Sequence, residues 1–329
     1  ALETGLGAGK YSVTITDQNG CTDSASVVAT EPGALVASGS VTSAISCNGV
    51  SSGQVIASAA GGTSPFTYQW NTGGFAALET GLGAGKYSVT ITDQNGCTDS
   101  ASVVVSEPDA LVASSSVTSA LDCNGDTDGQ VTASASGGTS PFTYQWNTGG
   151  IAALETGLPA GKYSVTITDQ NGCTDSASVV VSEPDALVAS GSVTSAISCN
   201  GVSNGQVTAS ETGGTSPFTY QWNTGGFAAL ETGLGAGKYS VTITDQNGCT
   251  DSASVVVSEP NALVASSSVS SALDCNGDTD GQVTASETGG TSPFTYIWNT
   301  GGIAALETGL GAGKYSVTIT DQNGCTDSA

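Results

Sequence analysis

Apolar and polar side chains alternate along short stretches of this chain with a period of two. Phe66-Thr67-Tyr68-Gln69-Trp70 places three aromatics on one face and polar residues on the other. Tyr87-Ser88-Val89-Thr90-Ile91-Thr92 alternates in the same way, and Ala101-Ser102-Val103 does so before running into Val104-Val105. Successive Cβ atoms of a strand point to opposite faces, so this period predicts antiparallel strands with one face buried. Gly-Gly, Asn-Gly and Glu-Pro pairs separate the runs and mark turns. The pattern predicts strands near 34–45, 53–59, 66–71, 77–82, 86–93 and 97–106. No segment has helical periodicity. Six or seven short strands in about 76 residues make a small β-sandwich. Phe66, Tyr68, Trp70, Leu82, Tyr87, Val89 and Ile91 are the apolar candidates for its core.

The pattern repeats. Ala-Leu-Glu-Thr-Gly-Leu begins at Ala1, Ala77, Ala153, Ala229 and Ala305, a constant step of 76 residues. Trp70, Trp146, Trp222 and Trp298 keep that step, as do Lys10, Lys86, Lys162, Lys238 and Lys314. Cutting after the Glu-Pro pairs predicts a partial repeat over 1–32, repeats over 33–108, 109–184 and 185–260, and a truncated one over 261–329. The expected class is therefore all-β, a tandem array of small antiparallel sandwich domains. The phase of the repeat at both ends implies a window cut from a longer array. A longer period of 152 residues lies above the first. Ser46-Cys47-Asn48-Gly49-Val50 and Ser198-Cys199-Asn200-Gly201-Val202 alternate with Asp122-Cys123-Asn124-Gly125-Asp126 and Asp274-Cys275-Asn276-Gly277-Asp278. Phe75 and Phe227 alternate likewise with Ile151 and Ile303.

Composition narrows the function. The 329 residues carry 5 Lys, 29 Asp plus Glu and no His, for a net charge of -24. No basic face can be built to meet nucleic-acid phosphates. Imidazole catalysis and imidazole metal sites are excluded. No run of 18 apolar residues predicts a membrane span. Carboxylates are the main acid–base groups, and paired carboxylates can hydrolyse glycosides. Here every candidate recurs in several repeats and none stands apart as an active site, so the chain reads as non-catalytic.

Nine cysteines fall at 21, 47, 97, 123, 173, 199, 249, 275 and 325, with spacings alternating between 26 and 50. Regular cysteines in a Ser/Thr-rich chain suggest disulfides formed in an oxidising, extracellular setting. Two pairings fit. Cys47–Cys97, Cys123–Cys173, Cys199–Cys249 and Cys275–Cys325 would staple each repeat within itself and leave Cys21 unpaired by truncation. Cys21–Cys47 and its equivalents would instead clamp a hairpin around Glu31-Pro32. The first is favoured, because the longer loop gains more from closure.

The run Gly61-Gly62-Thr63-Ser64-Pro65-Phe66-Thr67-Tyr68-Gln69-Trp70-Asn71-Thr72-Gly73-Gly74 resembles the centre of the SprB repeat. Leu82-Gly83-Ala84-Gly85-Lys86-Tyr87-Ser88-Val89-Thr90-Ile91-Thr92-Asp93-Gln94-Asn95-Gly96-Cys97 completes that pattern, and both runs recur in every full repeat. The resemblance implies an Ig-like or PKD-like sandwich with a tyrosine corner at Leu82–Tyr87. It also implies a segment of a large cell-surface adhesin of gliding and predatory Bacteroidetes-type bacteria, exported by type IX secretion. It further implies O-glycosylation at Asp-Ser-Ala triplets, with Ser24, Ser100, Ser176, Ser252 and Ser328 as the acceptors.

One motif suggests a cation. Asp122-x-Asn124-x-Asp126-x-Asp128-Gly129, repeated as Asp274-x-Asn276-x-Asp278-x-Asp280-Gly281, sets oxygen ligands at every second position before a glycine, as a Ca2+ loop does. An acidic, solvated turn fits the same residues, and Ala135 stands where an EF-hand closes with an acid. Two functions follow. The repeats form a structural segment of an extracellular fibre or adhesin stalk, self-associating with identical chains and holding a surface or prey ligand at a distant tip. Alternatively, they are an array of glycan- or protein-binding modules. Near-identical repeats favour the first, since binding modules usually differ in their loops. The Glu-Pro junctions are expected to limit bending between repeats.

Overall fold

A computed structural model describes residues 2–329. Strands β1 (Gly9–Thr16) and β2 (Thr22–Ala29) form an antiparallel hairpin. The first complete repeat then contributes β3 (Val36–Ser43), β4 (Gly53–Ala60), β5 (Thr67–Trp70), β6 (Leu78–Leu82), β7 (Gly85–Thr92) and β8 (Thr98–Val105). They make two three-stranded antiparallel sheets, β3-β4-β6 and β5-β7-β8. The same six strands return every 76 residues, so the chain is all-β, with no helix among the described residues. The predicted strands match these to within about two residues at each end.

The chain divides into two compact units. The first runs to Thr118 and adds Gln130–Thr156 and Lys162–Val180. The second comprises Ser119–Gly129, Gly157–Gly161 and Val181–Ala329.

Each repeat buries one face of each sheet against the other. In the first, Ile45, Val55, Ala57, Trp70, Leu82, Val89, Ile91 and Val105 form the core, and Phe66, Tyr68 and Tyr87 pack partly buried against it. The aromatic face of β5 thus points inward as expected, but only Trp70 is fully enclosed. Its indole Nε1–H donates to the Ala76 carbonyl at 2.9 Å, which removes the cost of burying the one polar atom on the ring. The third repeat has the same arrangement around Trp222. Asp99 ties the two sheets together, its carboxylate on β8 accepting the Ala37 amide of β3 at 2.8 Å. Gly61 is required where β4 turns towards β5. Its φ is +69°, and an added Cβ would collide with the Ala34 carbonyl oxygen.

The expected tyrosine corner is present. Tyr87, Tyr239 and Tyr315 donate to the carbonyls of Gly83, Gly235 and Gly311 at 2.9, 2.9 and 2.8 Å. Tyr239→Phe is expected to cost the third repeat about 1 kcal/mol, the usual net worth of one such bond. Denaturant titration against the parent chain measures it.

Strand lengths decide where the loops lie. β5 pairs only with Val89–Thr92 of β7, and β6 pairs only with Gly53–Ile56 of β4. Each covers about half of its partner, so together they cross the repeat once. From the β3–β4 loop the chain therefore crosses three times, by β4, by β5 with β6, and by β7, before reaching the β7–β8 turn. That turn is at the opposite end. β3 starts at the end that holds the turn, the entry end, and β8 finishes at the end that holds the β3–β4 loop, the exit end.

This corrects the disulfide expectation. Cys47 is at the exit end and Cys97 at the entry end, separated by the length of an eight-residue strand, roughly 26 Å. A disulfide holds its Cα atoms within about 7 Å. The structure pairs Cys47 with Cys173, Cys123 with Cys249 and Cys199 with Cys325, each 126 residues apart. Cys21, Cys97 and Cys275 are free and exposed. A partner 126 residues away falls outside the sequence for each of the three.

Candidate functional site

The chemistry of this chain concentrates where the exit end of one repeat meets the entry end of the next. Among the described residues three such seams occur, each lying within one compact unit. The Cα–Cα separations across the bridges are 5.7, 5.6 and 5.6 Å, inside the ordinary range.

The entry side is built on the Asp-Gln-Asn-Gly-Cys turn. Asp245 is buried, and its Oδ1 accepts the amides of Asn247 and Cys249, both at 2.9 Å. Its Oδ2 accepts the Thr215 amide at 2.9 Å. One carboxylate therefore fixes both residues that reach across the seam. Asn247 Nδ2 donates to the Asp122 carbonyl at 2.8 Å, beside the Cys123–Cys249 bridge. In the first seam Asn171 Nδ2 donates to the Ser46 carbonyl at 3.0 Å, beside Cys47–Cys173. In the third, Cys325 Sγ lies 3.4 Å from the Ser198 carbonyl oxygen, and Asn323 bonds within its own repeat to Thr291.

The exit side is built on the Cys-Asn-Gly loop, which grips the Glu-Pro junction of its own repeat. Asn48 Nδ2 donates to the Pro108 carbonyl at 3.0 Å, and the Gly49 amide donates to Glu107 Oε2 at 2.6 Å. Asn124 and Gly125 make the same contacts to Pro184 and Glu183, as do Asn200 and Gly201 to Pro260 and Glu259. The junction is thus held by a charged hydrogen bond as well as by proline stiffness.

Burial pushes the Asp245 carboxyl up, but the amides of Thr215, Cys249 and Asn247 outweigh it and hold the group below the ordinary aspartate range. Asp93 is lowered too, with the Thr63 amide the largest cause. A lowered folded pKa gives stability that is present above the unfolded value, about 3.9 for Asp, and lost as pH falls through the folded one. With no His in the chain, the thermal midpoint is expected to stay level from about pH 7 to pH 5 and to fall below about pH 4. Asp245→Asn is expected to lower the midpoint at pH 7 and to flatten the acid fall. Thermal melts at stepped pH check both.

The candidate Ca2+ residues lie on the exit-side loops and their flanks. Asn124 Nδ2 donates to the Pro184 carbonyl at 3.1 Å, and Asp126 Oδ2 accepts the Cys123 amide at 3.1 Å. Asp278 does the same for Cys275 at 2.9 Å. Asp122, Asp128, Asp274, Asn276 and Asp280 are exposed, and among the described residues no three His, Cys, Asp or Glu side chains converge to hold a metal. The alternating acids form a capped turn. Ser24, Ser100, Ser176, Ser252 and Ser328 are all exposed on their strands, and the Oγ of Ser100 lies 3.1 Å from that of Thr90.

The SprB repeat family matches residues 39–75, 115–150, 191–227 and 267–302. The chain carries four SprB repeats. Each matched stretch runs from the first strand of a repeat past its buried Trp, so the motif is the half of the sandwich that holds the exit-side loop. No curated protein shows significant sequence similarity to the chain. Among solved structures, the tetra-tandem repeat in the extending region of a large adhesion protein is 18% identical, covering 90% of this chain and 98% of that one at a TM-score of 0.27. The N-terminal eight Ig domains of the Down Syndrome Cell Adhesion Molecule are 12% identical, covering 98% and 50%, with a TM-score of 0.26. The protocadherin GammaB4 extracellular domain is 12% identical, covering 99% and 76%, with a TM-score of 0.27.

Several seam residues are not evident from residue type alone. Asp93, Asp169, Asp245 and Asp321 read as ordinary turn acids. Asn171, Asn247 and the glutamates of the Glu-Pro pairs read as loop polarity. The available signal is repetition, since Asp-Gln-Asn-Gly-Cys returns unchanged in every copy.

Proposed function

We propose that this SprB array is a non-catalytic structural segment of an extracellular fibre or adhesin stalk that attaches a bacterial surface to its target. The observation that carries the reading is that each of the three seams between neighbouring SprB repeats is closed by a disulfide. A bridge between neighbours makes the repeats one covalent object, which suits transmission of force. Disulfides of this kind persist in oxidising compartments, which supports placement outside the cell. Identical chains are the proposed lateral partners. Phe75, Ile151, Phe227 and Ile303 are 74–79% exposed at a fixed 76-residue pitch, offering each neighbour the same apolar contact. The net charge of -24 keeps such fibres soluble.

Electron microscopy of native, unfixed material tests this. A filament or thread with an axial repeat of one or two SprB repeats supports the structural reading. Compact particles, together with saturable binding of the folded 329-residue chain to surface glycans, would replace it with the binding-module reading.

A further inference from the structure

The cysteine spacing and the 126-residue bridges together define a path that neither defines alone. From Cys173 the chain runs 26 residues to Cys199, along one strand, the Glu183-Pro184 junction and the next strand, Val188–Ser195. Cys199 then leaps by its disulfide to Cys325. Followed this way, the cysteines sort into two tracks. The first is Cys21–Cys47, across to Cys173–Cys199, across to Cys325. The second is Cys97–Cys123, across to Cys249–Cys275. One chain segment plus one bridge advances 152 residues, which is the longer period of the sequence. Ser-Cys-Asn-Gly-Val loops occur only on the first track and Asp-Cys-Asn-Gly-Asp loops only on the second. The alternation of loop sequences thereby marks which track a seam belongs to.

We infer that tension between the two termini travels along the first of these disulfide-linked tracks and bypasses the middle strands of the sandwiches, so that the oxidised chain can extend to only about a quarter of its full contour. Each track segment contains only the last strand of one repeat and the first strand of the next. The four middle strands, with Trp70, Leu82, Val89 and Ile91 or their counterparts, lie in the 50-residue stretches between, such as Cys47–Cys97. A pull on the two termini passes through residues 1–47, 173–199 and 325–329 alone, about a quarter of the chain. Residues 48–172 and 200–324 are covalently shielded, and unfolding their cores releases no length. The inference concerns force and stands whatever the array attaches to.

Single-molecule extension of the oxidised 329-residue chain, held at both ends through non-thiol handles, tests it. At about 3.5 Å per extended residue, the full contour is expected at about 280 Å, rising about fourfold to about 1,150 Å after reduction. Replacing Cys47 and Cys173 by Ser opens the first track and is expected to lengthen the oxidised contour about 2.3-fold, to about 630 Å, because the pull then doubles back through Cys249 to Cys199. Replacing Cys123 and Cys249 by Ser is expected to leave it at about 280 Å, because the first track still carries the pull. The contour depends on which bonds exist and not on how well a variant folds. An oxidised parent contour of about 470 Å, as for bridges within each repeat, or about 800 Å, as for bridges across each Glu-Pro pair, would overturn the inference. So would equal lengthening by the two double variants.

Discussion

Reduction of the three disulfides is expected to lower the thermal midpoint of the chain by more than about 10 °C and to spread one transition over several. Each bridge closes a loop of 126 residues. Loops of that size stabilise by about 5 kcal/mol in the chain-entropy account, mainly by restricting the unfolded state. About 1 kcal/mol shifts the midpoint of a domain this small by several degrees. The spread has a separate cause. Among the described residues no bridge lies inside a repeat, so the reduced repeats keep their cores and their β signal at low temperature. What they lose is the coupling to their neighbours, and repeat arrays lose cooperativity when that coupling weakens. Calorimetry with and without a reductant measures both effects. An unchanged midpoint would mean that the bridges do not constrain the unfolded chain.

Trp222→Ala is expected to unfold the third repeat and leave the others folded in the reduced chain, where the covalent coupling between neighbours is gone. The indole is 2% exposed at the centre of a core of eight buried residues. Loss of a buried Trp costs about 3–5 kcal/mol, partly as lost transfer energy and partly as the cavity left behind. A domain of about 76 residues has only about 4–11 kcal/mol in total. The Ala228 carbonyl also loses its Nε1–H partner. Trp70, Trp146 and Trp298 remain as fluorescent reporters of the other repeats. Their emission should stay native while the β circular-dichroism signal falls by about a quarter, a share set by one repeat in four. Loss of all the native emission would show the repeats to be one cooperative unit.

The strands were legible because their period of two is local. Six runs bounded by Gly-Gly, Asn-Gly and Glu-Pro sufficed, and Trp70, Leu82, Val89 and Ile91 fell on the buried faces as their alternation required. Phe66 and Tyr68 lie towards the rim because β5 is only four residues long and reaches the middle of the repeat at Trp70. Ile45, Val55, Ala57 and Val105 complete the core from runs of small or unbroken apolar residues, where alternation is weak. The seam was not legible, and for one geometric reason. If Thr67–Trp70 and Leu78–Leu82 are each counted as a full crossing, Cys47 and Cys97 arrive at the same end of the repeat and look ready to pair. The registers show two half-length strands sharing one crossing, which sends Cys97 to the far end. A half-strand and a short full strand differ by partner register, not by sequence pattern. Asp126 and Asn124 have the spacing of oxygen ligands, and in the fold Asp126 Oδ2 accepts the Cys123 amide while Asn124 Nδ2 holds the Glu-Pro junction.

The pairing of neighbouring repeats can be read directly, because each repeat carries one Lys and the chain has no Arg. Trypsin cleaves after Lys10, Lys86, Lys162, Lys238 and Lys314. The oxidised chain is to be alkylated at its free thiols, unfolded in denaturant, digested without reductant and weighed by mass spectrometry. Bridges across the seams give two separate disulfide-linked products, one joining 11–86, 163–238 and 315–329 and the other joining 87–162 and 239–314. A single product linking all five cysteine-bearing peptides, as bridges within each repeat would give, or five unlinked peptides, as bridges around each Glu-Pro pair would give, would contradict the covalent seam.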